Sequence, residues 1–391
     1  MKPQTLRSFP PARRAALGTM LITSLGLAGP LYGQSFNAGS DGSLGDVVIT
    51  NNTTMNLPPD GKLHFRNLTV NSGATLTFNR NSNNTPVFIL SQSNVIVSGT
   101  INVDGGANTV NTGGLGGPGG FDGGKPGFGA EVPPGDGYGP GGGHGGVNDC
   151  NDAANVAVGA GHGTRRSAFS GNIYGNTLLI PMVGGSGGGG GANNANAGGG
   201  GGGGAVLIAA NKRVAVNGSI LARGGQGGFC LNGGSGGAIR LVSFTVDGSG
   251  NLNTSAINGN SGEGRVRIDT VIRTGLNFSI NGVSSIGGNL LVFPPTVPTL
   301  TVTEAAGNTV TNGNGPVVFT LPFGSTTNRT IRIQAQDFAR SVPIRVTLTP
   351  DSGIQRIFDA DVDNSSINPA VVDVPVTVPI NTLVTVHCWT R

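Results

Sequence analysis

The segment VFILSQSNVIVSGTINVDGG (residues 87–106) aligns without a gap on VLIAANKRVAVNGSILARGG (residues 206–225). Val87, Ile89, Val95, Val97, Gly99 and Ile101 fall on Val206, Ile208, Val214, Val216, Gly218 and Ile220, and both copies end in a pair of glycines. Agreement at that many apolar and glycine positions marks a structural repeat. A looser copy, AIRLVSFTVDGSGNLNTSAING, covers 238–259, and NLTVNSGATLTF at 67–78 keeps the same order of Val, Gly and Leu. Apolar residues alternate at 87/89, 95/97 and 101/103, the period of a strand with one buried face. The polar or glycine turns between them are too short for stacked hairpins, and no sustained 3.6-residue pattern supports a βαβ arrangement. A coil that stacks each unit on the next satisfies both observations: inward Val, Ile and Leu form a narrow core, and backbone groups pair between rungs. The sequence therefore predicts a parallel β-helix with Asn, Thr and Ser on its solvent side. Gly99, Gly105, Gly218 and Gly224 are expected at positive-φ corners.

Working outward, the first 33 residues read as a signal peptide. Lys2, Arg7, Arg13 and Arg14 precede the short apolar run AALGTMLITSLGLAG (15–29), with small residues around 26–33 for cleavage. These four side chains account for the whole formal charge of +4, since the first acidic residue is Asp41. The mature chain is thus near neutral and has no basic patch interleaved with aromatics, which argues against a nucleic-acid partner. No later stretch is long and apolar enough for a transmembrane segment. The β-helix is assigned to 34–292 and a Pro-rich linker, from FPPTVPTLTV, to 293–300. Residues 301–391 are expected to form a small antiparallel β-sandwich, with Ile331, Ile333 and Ala335 alternating against Arg332 and Gln334. The 72 glycines concentrate between 105 and 238. They lack a strict G-X-Y register, which excludes collagen and leaves two readings: mobile loops, or extended polyproline-II-like glycine strands packed side by side. TLLIPMV (177–183) reads as one further buried strand among them.

Chemistry is sparse. A glycine-rich nucleotide motif carries no weight in a chain with seven adjacent glycines, and no glycine run is followed by Lys and then Ser or Thr. The densest polar cluster, HGGVNDCNDAAN (144–155), holds Asp149 and Asp152, an acid/base or calcium pair in principle. A flexible glycine loop is a poor support for catalytic carboxylates, so they read as ordinary loop residues. Asp359, Asp361 and Asp363, in DADVDN (359–364), form a second calcium candidate, without the glycine or twelfth-position Glu of an EF-hand. No other cofactor is implied. Of three cysteines, Cys150 and Cys230 are the expected disulfide, tying two glycine loops in an oxidising compartment. Cys388 adjoins His387, but neighbours on a strand face opposite ways, so the two make no dyad.

The segments GGGGAVLIAANKRVAVNGSILARGG and GGSGGAIRLVS resemble the glycine-rich, right-handed parallel β-helix regions of bacterial surface proteins, adhesin-like proteins among them, and the last ninety residues resemble an immunoglobulin-like module. The resemblance implies a secreted or cell-surface protein with a structural or adhesive role. Its expected partners are an extracellular glycan, a cell-envelope component or further copies of itself. Two alternatives accompany this reading: a polysaccharide lyase or hydrolase on a β-helix scaffold, and a self-assembling fibre subunit.

Overall fold

The computed structural model describes residues 36–391 apart from 129–130, 147–156, 167–169, 193–195, 229–231, 258–259 and 312–315. The chain begins as a coil of parallel strands. Its first rung is β1 (Asp46–Ile49) and β2 (Thr53–Asn56), its second β3 (Lys62–Phe65), β4 (Asn67–Val70) and β5 (Thr75–Asn79), and its third β6 (Val87–Ser91), β7 (Asn94–Val97) and β8 (Thr100–Asn102). Three longer turns follow, β9 (Ala205–Val216) with β10 (Ser219–Leu221), β11 (Ala238–Asp247) with β12 (Asn251–Asn253), and β13 (Arg265–Ile272) with β14 (Ser279–Asn281), before β15 (Val283–Gly287) closes the series. β9 spans the work of two earlier strands, since its first half pairs with β6 and its second with β7.

The repeat aligned in the sequence is the register of the sheet. Val87 faces Val206, Ile89 faces Ile208, Val95 faces Val214, Val97 faces Val216 and Ile101 faces Ile220 across parallel ladders. Every one of these side chains is fully buried in a single core that runs the length of the coil. Parallel in-register stacking puts like on like, so one apolar choice repeated at each rung packs against its own kind along the core.

The glycines at the corners are needed for a different reason from the one expected. Gly99, Gly105, Gly218 and Gly224 do not have positive φ. Instead, a Cβ on any of them would lie under 3.0 Å from a carbonyl oxygen of a neighbouring rung or glycine segment: Asn71 for Gly99, Gly99 itself for Gly218, Gly201 for Gly105 and Gly234 for Gly224. Close backbone approach, not left-handed conformation, selects glycine there.

The sheet formed by β2, β5, β8, β10, β12 and β14 presents its outer face to solvent. Across it Thr54, Thr77, Asn102, Leu221, Asn253 and Asn281 stand in one register row. Two residues back on each of five strands, Thr75, Thr100, Ser219, Asn251 and Ser279 form a second row. The outer face at β11 and β13 is covered instead. Arg240, fully buried, reaches Asp269 at 3.1 Å and the Leu291 carbonyl at 2.7 Å, while Arg267 holds the same carboxylate at 2.6 Å. A buried pair of this kind is costly to half-remove, and it pins residues 288–293 over the sheet.

The remainder is antiparallel. β16 (Thr299–Ala305), β17 (Asn308–Thr309), β19 (Asn328–Gln336) and β22 (Ala370–Thr377) make one four-stranded sheet. β18 (Val317–Thr320), β20 (Ser341–Pro350), β21 (Arg356–Asp363) and β23 (Leu383–Thr390) make the other. Ile331, Ile333 and Ala335 of β19 and Ile344, Val346 and Leu348 of β20 are fully buried in its core, as their alternation requires. Between coil and sandwich the Pro-rich stretch is anchored by Phe293, whose ring meets Phe88 edge-on at 5.2 Å.

Ile208→Ala should lower stability in denaturant titration by roughly 2–5 kcal/mol, the cost of a cavity in a close-packed core. Thr69→Ala, on the outer side of β4, should change it by less than about 0.5 kcal/mol.

Candidate functional site: the glycine bundle and its junction with the sandwich

Three insertions, residues 103–204, 222–237 and 254–264, leave the coil after β8, β10 and β12, the same corner on successive rungs. They supply the glycine segments, which lie side by side without forming strands. The seven glycines at 198–204 are their centre. The N–H groups of Gly199 and Gly202 donate to the carbonyls of Gly124 and Phe121, those of Gly200 and Gly203 to Asn232 and Ser235, and those of Gly201 and Gly204 to Gly106 and Val103. The carbonyls of Gly199 and Gly202 accept from Gly114 and Gly117, those of Gly200 and Gly203 from Gly188 and Gly185, and those of Gly201 and Gly204 from Gly225 and Ala238. All twelve bonds measure 2.7–3.0 Å.

Partners recur every third residue, which is the three-residue turn of a polyproline-II helix. The donors point to segments 103–106, 121–124 and 232–235 and the acceptors to 114–117, 185–188, Gly225 and Ala238, so the central helix is surrounded by backbone. A Cβ at any of Gly199–Gly204 would lie under 3.0 Å from a neighbour's carbonyl oxygen. An isolated polyproline-II helix leaves its peptide groups to water; here each peptide group is satisfied by another helix. The second of the two sequence readings, packed glycine strands, describes these residues.

Side chains enter the bundle at few points. His162 is completely buried, stacked on Tyr174 at 4.5 Å, with Nδ1 bonded to the Gly236 carbonyl at 2.8 Å. Burial, and then the nearby Arg265 charge, push its pKa down to about 4. Nε2 of the same ring is buried with no hydrogen-bond partner. The Tyr174 hydroxyl donates to the Gly184 carbonyl at 2.6 Å and accepts from Ser186 at 3.0 Å, and its burial raises the phenol pKa. Arg265 donates to the Tyr174 carbonyl at 3.0 Å. This cluster ties 157–191 to the coil through residues at 235–236 and 265.

The sandwich seats on the bundle through the β20–β21 loop. Asp351 pairs with Lys125 and accepts from the Tyr138 hydroxyl at 3.1 Å. Ser352 donates to the Pro133 carbonyl at 2.9 Å, and Gly353 bridges Gly135 in parallel. Asp136 is buried and accepts from the backbone N–H groups of Gly145 (2.6 Å) and Gln355 (2.8 Å), with His144 Nδ1 at 3.3 Å. That carboxylate raises the His144 pKa. Beside them His387 of β23 sits among Phe121, Tyr138 and Trp389, at ring distances of 5.6, 6.3 and 5.7 Å. Burial brings its pKa down to about 4. Asp136, Asp351 and Ser352 hold one part to the other, while Nδ1 of His387 is buried with no hydrogen-bond partner.

The residues singled out in the sequence are dispersed. Asp149, Asp152, Cys150 and Cys230 lie outside the described residues. Asp359, Asp361 and Asp363 are on strand β21 rather than in a loop. Asp359 is held by Arg345 at 2.8 Å and by Arg391 at 3.2 Å, and the Arg345 bond lowers its pKa. Asp363 accepts from Ser365. Among the described residues no group of three or more His, Cys, Asp and Glu could hold a metal ion. Cys388 is a free, half-buried thiol whose pKa burial pushes up to about 12. Residues 177–183, expected as a strand, are not one: Leu178 is exposed, while Leu179 turns inward at φ 52° against Ala205 and Ala238. Sequence reasoning missed His162, Tyr174 and Asp136. Their only signal is being large or charged within a glycine tract, where each side chain needs a place made for it.

The chain matches no family model, no curated protein and no solved structure. No helix among the described residues is long and apolar enough to cross a membrane.

Gly202→Ala should therefore collapse the bundle, read as a large fall in melting temperature and rapid proteolysis within 103–264. Gly106→Ala should be far milder, because its nearest obstacle is 3.2 Å away. Stability should also fall with acid. His162 and His387 take up protons near pH 6.5 when unfolded but near 4 when folded, so the unfolded state binds more protons in that window. Each should cost about 2 kcal/mol by pH 5 relative to neutral pH, with His144, shifted the other way, offsetting part. Denaturant titrations at pH 7 and pH 5 measure this, and His387→Asn should flatten the dependence.

Proposed function

We propose that this is an exported structural or adhesive protein of the cell surface, in which a right-handed β-helix and an immunoglobulin-like module are joined through a bundle of glycine helices. One observation carries the reading: the glycine segments bond to one another through their backbones, and Asp136, Asp351 and Tyr174 are taken up in contacts between segments, which suits a rigid spacer. A bundle that admits almost no side chains is also a poor place to build a catalytic constellation. The expected leader at 1–33 and the expected Cys150–Cys230 bridge agree with export into an oxidising compartment. No cofactor is needed in this role.

Fractionation of cells producing the tagged full chain should place it outside the cytoplasm. The purified protein should bind cells or glycans without altering them. Recovery in the cytoplasm, or turnover of a polysaccharide, would sink the proposal.

A further inference from the structure

We infer that the outer face of the β2-β5-β8-β10-β12-β14 sheet is a docking surface for a neutral, extended polysaccharide. The inference rests on the adhesive reading and names its ligand class. Three properties of the face carry it.

The face is uncharged. Its outward positions on all six strands are Thr, Ser or Asn, with Leu221 the single exception. The ion pairs at its margin, Arg223 with Asp104 at 2.7 Å and Arg80, which follows β5, with Asp122, are closed on themselves. The neighbouring outer face differs, carrying Asp46, Arg213 and Asp247. An uncharged strip has nothing to offset the desolvation of a uronate chain, a nucleic acid or an anionic headgroup. It suits a hydroxyl polymer.

The face is also regular. Register fixes the two rows, so hydrogen-bonding groups repeat about every 4.8 Å along the coil axis and about 6.7 Å across it. Six strands give a strip on the order of 24 Å long. An extended glycan advances by nearly one strand spacing per sugar, so successive sugars meet equivalent groups.

The groups are of the right kind and already aligned. Thr54 and Thr77 hydroxyls lie 2.7 Å apart along one row and Asn281 donates to Asn251 at 3.2 Å from one row to the other, so neighbouring side chains hold one another in place. Each amide and hydroxyl keeps donor and acceptor capacity beyond those bonds. Ladder bonding lowers the ordering cost on binding. Many weak contacts in one repeat then add through multivalency.

The test is a depletion isotherm of the full-length protein on insoluble cellulose, chitin and β-1,3-glucan, with polygalacturonate and alginate gels as anionic comparisons. Retention on at least one neutral polymer is expected, little affected by moderate salt. Substituting Thr100→Ala, Ser219→Ala and Ser279→Ala together should weaken it at least tenfold with the melting temperature unchanged. Leu221→Lys, which sets a charge in the middle of the strip, should do the same, while Thr69→Ala on the adjacent face should not. Retention only on the anionic gels, no retention on any neutral polymer, or equal retention by all variants would overturn the inference. Surface location with binding through another patch overturns this assignment alone, whereas a cytoplasmic protein that binds nothing overturns the adhesive reading with it.

Discussion

The structure depends on peptide groups satisfying one another in the absence of side chains. At 199–204 each N–H and each C=O is bonded to the backbone of a neighbouring segment, at a separation that a methyl group would prevent. This reverses the ordinary argument about glycine. Glycine is destabilising in regular structure because it orders at high entropic cost and buries little. In the bundle the lost entropy is set against a hydrogen-bond lattice in which every peptide group of Gly199–Gly204 is paired, and orphaning one is the larger penalty. Hydrophobic burial dominates the coil; in the bundle it is secondary, and the two meet at Ala205, where the glycine helix becomes strand β9.

The coil was legible because its constraint acts on side chains. Parallel register repeats the same environment at each rung, so Val95 and Val214, far apart in the chain, are under the same demand and show it as the same letter. The sandwich was legible for a related reason, since the alternation at 331–335 and 344–348 is the period of a half-buried strand. The bundle was not. Its specificity lies in which carbonyl meets which amide, and a run of identical glycines carries no mark of it. The three-residue recurrence of partners is a property of conformation, and the same letters would serve a mobile loop.

The polar residues failed in the opposite direction. Aspartates at spacing suited to a metal, 359, 361 and 363, lie along a strand, with Asp359 taken by two arginines. The groups that join the parts, Asp136 and Asp351, had no distinguishing neighbours in sequence. Each acts on a segment more than two hundred residues away, Asp136 on Gln355 and Asp351 on Tyr138. Pairings across such distances follow from the docking of finished elements, and local pattern does not encode them.

All three glycine insertions leave the coil at one corner, on consecutive rungs. A coil translates any insertion made at a fixed corner by one strand spacing per turn, so what emerges there is stacked before it folds. The bundle's depth is therefore tied to rung number, and duplicating a rung would lengthen both at once. Such a molecule can change its reach by copying one unit of sequence, with no new interface to be invented.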